Sequence, residues 1–396
     1  MRLRHQLASY SPVSVAAAGY ATWRALGRGA DPRRQLLEEL ARDYAASGGV
    51  LCGSGTQALQ LAIAMGMRGA SKGESVALPA FTCFDVASAA IGAAVPITLY
   101  DVDPDTLSPN LDALARAFAG GARLAVIAPL YGMPVDWGSL EACAARYGAG
   151  LIEDAAQGHG SSWRGSRLGS LGRVSTLSFG RGKGWTGGRG GAVLIRRESK
   201  ESLGQLSASD FLDEMKTFAA LSAQAVFGRP SLYGLPRSVP LLGLGETRYH
   251  PPSTLGEMPR VAATCALDSR KSAEREAELR KRNAEWFFDR LPNDGGLRRV
   301  AVCDGGVAGY LRLPIKLPRG MASFGDPAGA LRLGVAPSYP TTIGELGQVA
   351  GRLSGTDGPW PGAAALVREL VTLPTHSQLT MREREELVPM LKEIRN

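Results

Sequence analysis

The chain has 396 residues, of which 44% are hydrophobic, 21% charged and 50 glycine. At about 150 residues per domain this predicts two domains, and the balance excludes a disordered or collagen-like chain. A formal charge of +8 raises nucleic acid as a partner. However, the arginines are scattered and no helix-turn-helix or RNP-like motif is present, so nucleic acid is set aside and small anionic substrates stay compatible.

No run approaches the roughly 18 apolar residues that span a bilayer, and no stable membrane insertion is expected. Met1-Arg2-Leu3-Arg4 followed by Val13–Tyr20 imitates a signal peptide, but Ser11, Pro12, Ser14 and Gly19 weaken its apolar stretch. Cys52, Cys83, Cys143, Cys265 and Cys303 are odd in number and without a CxxC pair, which reads as reduced thiols in a cytoplasm. His5, His159, His250 and His376 form no HExxH cluster, so no metal is expected.

In chain order, apolar runs at Gly49–Cys52, Ser75–Leu78, Pro96–Tyr100, Leu124–Pro129, Leu151–Ile152, Val174–Phe179 and Ala192–Ile195 read as strands. Between the early ones, Ala58–Met67, Phe84–Ala93, Leu111–Phe118 and Gly138–Tyr147 carry helical period. This alternation predicts βαβ units on a mostly parallel sheet, with ligands at the carboxyl edge of the strands. Beyond Arg197, residues 205–227 read as helix, Arg229–Pro252 as a Pro/Gly-rich stretch and 260–291 as one long helix. The remainder predicts a smaller α+β domain, with strands at Tyr310–Leu317 and Leu331–Val335 and a terminal helix from Met381.

Three segments carry chemistry. Gly53-Ser54-Gly55-Thr56 follows a strand and opens a helix, so it can present backbone N–H groups and the helix dipole to a phosphate. Extended to Ala58 it also fits a dinucleotide fingerprint, but the next strand ends in Leu78-Pro79-Ala80-Phe81 without the required acid. Glu153-Asp154 ends a strand, where a carboxylate is either paired structurally or holds a cationic partner such as a protonated pyridine nitrogen. From Gly180 to Gly191, seven of twelve residues are glycine, around a single Lys183 that no Ser or Thr follows. That is no Walker loop. A lysine, a phosphate seat and a strand-end Asp together suggest a pyridoxal phosphate site.

The segments GSGTQAL, PAFTCFDVASA, YDVDPDT, LYGMPVD, IEDAAQGHG, SFGRGKG and GGAV, in this order from about residue 45 to 197, resemble the DegT–StrS family of pyridoxal-phosphate sugar aminotransferases. The likeness resumes at 258–291 and at Leu373-Pro374-Thr375-His376. The resemblance implies an α/β, aspartate-aminotransferase-like (fold type I) large domain at 1–255, with an N-terminal arm and a 205–252 insertion. A small C-terminal domain at 256–396 would include the long connecting helix. It further implies a homodimer. The apolar Phe218, Leu221, Val226 and Phe227 of the insertion helix are expected to pack at or near its interface, the alternatives being a peripheral flap or an interfacial membrane helix.

In this resemblance Lys183 forms the Schiff base with the cofactor and Asp154 pairs with the pyridine nitrogen. Gln157 contacts the ring or its 3′-oxygen, and Gly55, Thr56 and Ser178 hold the phosphate. Phe84, or its neighbour Cys83, lies at the ring face. The implied reaction moves an amino group from an amino acid, glutamate, to a nucleotide-linked keto-sugar. The alternatives are a pyridoxal-phosphate enzyme of the same fold acting otherwise, or a non-catalytic binding protein. Three features depart from the family. Thr254-Leu255-Gly256-Glu257-Met258 lacks the Asn that usually reaches the partner's phosphate, residues 205–252 are added, and Arg189 replaces an acid in the glycine loop. Arg181 and Arg189 are therefore candidate substrate residues, suited to a carboxylate or a diphosphate.

Overall fold

A computed structural model describes residues 4–27, 30–196, 206–237, 247–293, 296–354 and 358–394. The first strands are β1 (Gly48–Cys52), β2 (Ser75–Pro79), β3 (Ile97–Tyr100), β4 (Ala122–Ile127) and β5 (Gly150–Asp154). A hairpin of β6 (Ser162–Trp163) and β7 (Ser166–Arg167) precedes β8 (Val174–Ser178) and β9 (Gly191–Ile195). Seven of these form one sheet in the order β1-β9-β8-β5-β4-β2-β3. Neighbours from β8 to β3 run parallel, and β9 lies antiparallel to both β8 and β1. Helices cover both faces, which is why β2, β3 and β9 are apolar at nearly every position rather than alternating.

The helices of this region are α1 (Val15–Leu26), α2 (Pro32–Asp43), α3 (Gly55–Gly66), α4 (Phe84–Gly92), α5 (Leu111–Ala119) and α6 (Trp137–Arg146). Side-chain N-caps start most of them, among them Ser54, Asn110 and Asp136, each satisfying a backbone N–H that the first turn leaves free. The expected strands and central helices are in place to within a few residues. Helices α1 and α2 were not foreseen, although Asp31 as cap and Pro32 at the first helical position are a clear start signal.

After the sheet come α7 (Phe211–Phe227), α8 (Pro230–Arg237) and the 29-residue α9 (Arg260–Phe288). Both carboxylate oxygens of Glu214 accept backbone N–H bonds from the start of α9, at Arg260 (2.7 Å) and Val261 (2.9 Å). The negative charge thus sits at the positive helix end. Ala18, Ala21 and Ala25 of α1 are buried together with Leu221, Val261 and Cys265, small residues that let three helices approach closely. Leu221 is therefore buried within this chain and not available to a partner, contrary to expectation. Phe218 and Val226 are half-buried, and Phe227 is exposed. Of the expected insertion, 205 and 238–246 lie outside the described residues.

The C-terminal part contains β10 (Arg298–Arg299), β11 (Gly306–Val307), β12 (Leu313–Lys316), β13 (Ala336–Pro337) and β14 (Leu370–Leu373). Strands β10-β12-β14-β13 form an antiparallel sheet, and β11 joins the β6–β7 hairpin. The strand expected at Leu331–Val335 is absent. Pro327–Arg332 is a helix capped by Asp326, followed by a turn at Gly334 with φ +88°. Of this stretch, Ala336–Pro337 alone pair with β14, on the side opposite β12. The Asp-Pro start outweighs the apolar run.

The chain before α1 is an extended strap. Arg4 pairs with Glu383 at 2.8 Å, the Gln6 amide donates to Glu383 and to the Gln378 carbonyl, and His376 Nε2 bonds the Leu7 carbonyl. From the C-terminal part the strap rises toward the loop that carries Lys183.

Candidate active site

The carboxyl ends of β2, β4, β5 and β8 lie at one edge of the sheet, and β1, running with β8, ends there too. The loop Phe179–Gly190 hangs over this edge because β9 begins at it. The result is a cavity of about 270 Å³ lined by Gly55, Thr56, Cys83, Asp154, Gln157, Ser178 and Lys183. Six of the seven expected cofactor residues are thus brought together.

At one end, Gly55 opens α3 while Ser54 Oγ accepts the Gln57 N–H at 3.1 Å. The remaining first-turn N–H groups can face an anion. A side chain at Gly55 would put its Cβ 2.6 Å from Ser178 Cβ and Oγ, so the close approach of the two strand ends needs glycine. The stretch Thr254–Met258 is stitched to this turn. Gln57 Oε1 accepts from both Gly53 and Gly256 N–H at 3.1 Å, and its amide donates to the Thr254 carbonyl at 2.9 Å.

At the other end, Asp154 Oδ1 accepts from Thr176 Oγ1 (3.1 Å) and Ala156 N (3.2 Å). Burial raises its pKa, and the Lys183 charge works against that. A cationic ring nitrogen is the partner such a carboxylate suits. The adjacent Glu153 does something else. It is fully buried and accepts the backbone N–H groups of Gly169, Leu171 and Gly172 at 2.5, 2.8 and 3.0 Å, holding the loop before β8.

Lys183 is half-buried between two glycine-rich arms. Phe179 N–H bonds the Gly190 carbonyl at 2.9 Å and Gly187 N–H bonds the Phe179 carbonyl at 3.0 Å. Trp185 Nε1 anchors the loop on the Ala266 carbonyl of α9 at 2.7 Å. Gln157 Oε1 accepts the Tyr131 N–H (2.9 Å), and its amide donates to Tyr339 Oη (3.1 Å). Tyr131 Oη in turn bonds Ser338 Oγ at 2.7 Å, tying the cavity to the C-terminal part.

Phe84 is a correction. It is buried against Tyr339, with ring centroids 6.3 Å apart, and Cys83 lines the cavity in its place. Burial pushes the Cys83 thiol up to about 11, so it is neutral at physiological pH. Arg189 lines the cavity but is held by the Gly53 carbonyl (3.3 Å) and by Asp213 of α7 (3.4 Å). Arg181 is exposed and has no ion pair among the described residues.

Arg181 also lines a larger cleft of about 1280 Å³ that adjoins the cavity. Its walls are the strap from Leu7 to Ser11, the α7 residues Ala220, Ala223 and Phe227, and Ser338 and Tyr339. Arg312 lines it as well, without an ion pair among the described residues, and no Asp or Glu is among the lining residues. Sequence reasoning missed Arg312 and Tyr339, which no local pattern marks. It passed over Tyr131 although the segment LYGMPVD contains it.

A mostly parallel seven-stranded sheet with a lysine loop over its carboxyl edge defines a fold type I pyridoxal-phosphate enzyme. The sequence profile of the DegT/DnrJ/EryC1/StrS aminotransferase family matches residues 28–392, and the chain belongs to that family. It is 39% identical over 159 residues to L-glutamine:2-deoxy-scyllo-inosose aminotransferase of Streptoalloteichus tenebrarius, covering 39% of this chain and 37% of that protein. With the protein of the same name from Streptomyces lividus the identity is 30% over 326 residues, 79% and 72% of the two chains. The first curated relatives are thus matched over only 33–44% of their own length. Among known structures, sugar aminotransferase CalS13 from Micromonospora echinospora shares the fold, with a TM-score of 0.72 over 99% of both chains at 22% identity.

Pyridoxal 5′-phosphate is the cofactor of this family, and the residues present fit it. Gly55, Thr56 and Ser178 would hold the phosphate, Asp154 the ring nitrogen and Lys183 the aldehyde carbon.

Proposed function

We propose that this protein is an aminotransferase moving an amino group from glutamate, or glutamine as in the named relatives, to a keto-sugar. The observation that carries the reading is one cavity lined together by Lys183, Asp154 and a glycine-cradled anion seat at Gly55 and Ser178. Bound there, pyridoxal phosphate supplies an electron sink for the charge left when Cα loses a proton. The Asp154 carboxylate, oriented by Thr176 and the Ala156 N–H, would hold the ring nitrogen in its protonated form. Lys183 Nζ would hold the cofactor at its aldehyde carbon and, when not so engaged, would be the base within reach of the Cα proton. Gln157, fixed on both sides by Tyr131 and Tyr339, holds the ring edge.

The adjoining cleft supports a nucleotide-linked acceptor. It has room for one, and Arg181 and Arg312 offer two guanidinium groups to a diphosphate without competing carboxylates among the lining residues. The reading extends to a cytoplasmic two-fold homodimer, with the exposed Phe211, Leu212, Met215 and Phe227 of α7 at or near its interface. It also divides the chain at about residue 256.

The test is chemical. Purified protein should absorb near the visible edge, and borohydride should fix the cofactor on the peptide that contains Lys183. Attachment at another of the eight lysines would overturn the assignment. Lys183→Ala should abolish turnover in a protein that still folds, since no core volume is removed.

A further inference from the structure

Arg280, in the middle of α9, is fully buried, yet no carboxylate within ion-pair distance accompanies it among the described residues. Its Nη2 donates to the Tyr10 carbonyl of the strap at 2.5 Å. Its Nε and Nη1 have no hydrogen-bond acceptor among the described residues. Nη1 lies directly beneath the lysine loop: a Cβ on Gly184 would be 2.8 Å from it. Gly184 has φ +86°, so this residue is glycine for two reasons, its backbone conformation and the guanidinium under it.

A buried guanidinium is costly and is kept where it organises its surroundings. Here it touches two things. One is the strap; the other is the residue next to Lys183. The strap also grips the loop directly, because Ser11 Oγ accepts the Gly184 N–H at 3.1 Å. Ser9 Oγ sits 2.7 Å from where a Cβ on Gly182 would be. Gly184 is thus hydrogen-bonded to the strap, Gly182 lies close under Ser9, and Arg280 holds the strap at Tyr10. These strap residues precede the region matched by the family profile, which begins at residue 28.

We propose that Arg280 is a positioning residue that clamps the N-terminal strap onto the lysine loop and thereby fixes where Lys183 Nζ lies. The proposal rests on the reading of Lys183 as the cofactor lysine. Arg280 itself touches no reacting atom.

The experiment uses the holoenzyme with Arg280→Met, Arg280→Lys and Ser11→Ala, following kcat and KM for donor and acceptor, the visible band, and chymotrypsin cleavage after Tyr10. Arg280→Met should lower kcat about 10–100-fold, the effect of a displaced reacting group, with either KM moving less than about threefold. It should also shift the visible band and speed cleavage after Tyr10. Arg280→Lys, which keeps a donor for the Tyr10 carbonyl, should recover most of the kcat and the protection. Wild-type kcat in a folded Arg280→Met protein overturns the proposal. So does a loss that falls on KM alone. Should Arg280→Met not fold, Ser11→Ala decides. A kcat loss of about threefold or more at constant KM supports positioning, and an unchanged kcat refutes it. Failure of the underlying reading looks different, since wild-type protein would then carry no borohydride-fixed label on Lys183.

Discussion

The cofactor cavity and the cleft beside it are built differently. Every cavity wall is a strand end, a helix start or the loop between β8 and β9, drawn from a continuous stretch of chain around one sheet edge. The cleft is assembled from the strap, α7 and the C-terminal part, including Arg312, Ser338 and Tyr339. The first is dictated by the local rules of a parallel sheet, which bring carboxyl ends together whatever the rest of the chain does. The second exists only once distant segments have docked. On the proposed reading, the chemistry would sit on the locally determined part and acceptor recognition on the assembled part.

Substitutions can break this comparison. The largest effect is expected from Asp154→Asn, which keeps the cavity but not the charge. Turnover should fall about thousandfold, or ~4 kcal/mol of transition-state stabilisation, with cofactor content unchanged in the absorbance spectrum. Near-normal single-turnover rates would show that another group holds the ring nitrogen.

Acid should come next, because a buried histidine lies behind each region: His159 beside Gly184 and His376 on the Leu7 carbonyl of the strap. His159 and His376 are each pushed down to about 4, mainly by burial, with the Arg280 charge acting in the same direction. In the unfolded chain a histidine takes up its proton near pH 6.5, whereas in the folded chain it stays neutral to about 4. Stability is therefore unaffected above pH 6.5 and lost as pH falls from there. His159 contributes about 3 kcal/mol of loss by pH 4. Urea midpoints at pH 7, 5.5 and 4.5 measure the slope, and His159→Gln should flatten it.

Arg181→Gln sharpens the comparison from the other side. The acceptor half-reaction should weaken by roughly 1.5–3 kcal/mol, the worth of a hydrogen bond to a charged group, while cofactor content stays as in wild type. Stopped-flow measurement of the two half-reactions separates them, and equal loss in both would move Arg181 into the cofactor side. The smallest effect belongs to Phe84→Leu. It should cost about 1 kcal/mol of stability by packing against Tyr339 and leave the visible band unmoved, since Cys83 and not Phe84 lines the cavity.

Much of the cavity was legible because glycines, a strand-end acid and a lysine recur at spacings the sheet requires. The acids show where legibility stops. Asp101, Glu153 and Asp154 all stand at strand ends, yet their tasks differ. Asp101 accepts the Gly362 and Ala363 N–H groups at the start of the helix Pro361–Glu369, and Glu153 holds the 169–172 loop. Only Asp154 faces the cavity. Alternation along β5 places 153 and 154 on opposite faces, but which face is the site depends on what packs there. Arg280 was hidden for a related reason: inside a helix with many charged positions nothing marks which of them are buried.

The long helix α9 has one more consequence. Its first half supplies Ala262, Ala263, Ala266 and Ala273 to the core beneath the lysine loop, and its second half supplies Ala284 and Phe287 to the C-terminal core. Neither core can be lost without stripping a face from the same rod, and the strap crosses between them through Glu383 and Gly184. Heating should therefore melt the two parts in a single cooperative step despite two separate hydrophobic centres, with calorimetric and van't Hoff enthalpies in agreement.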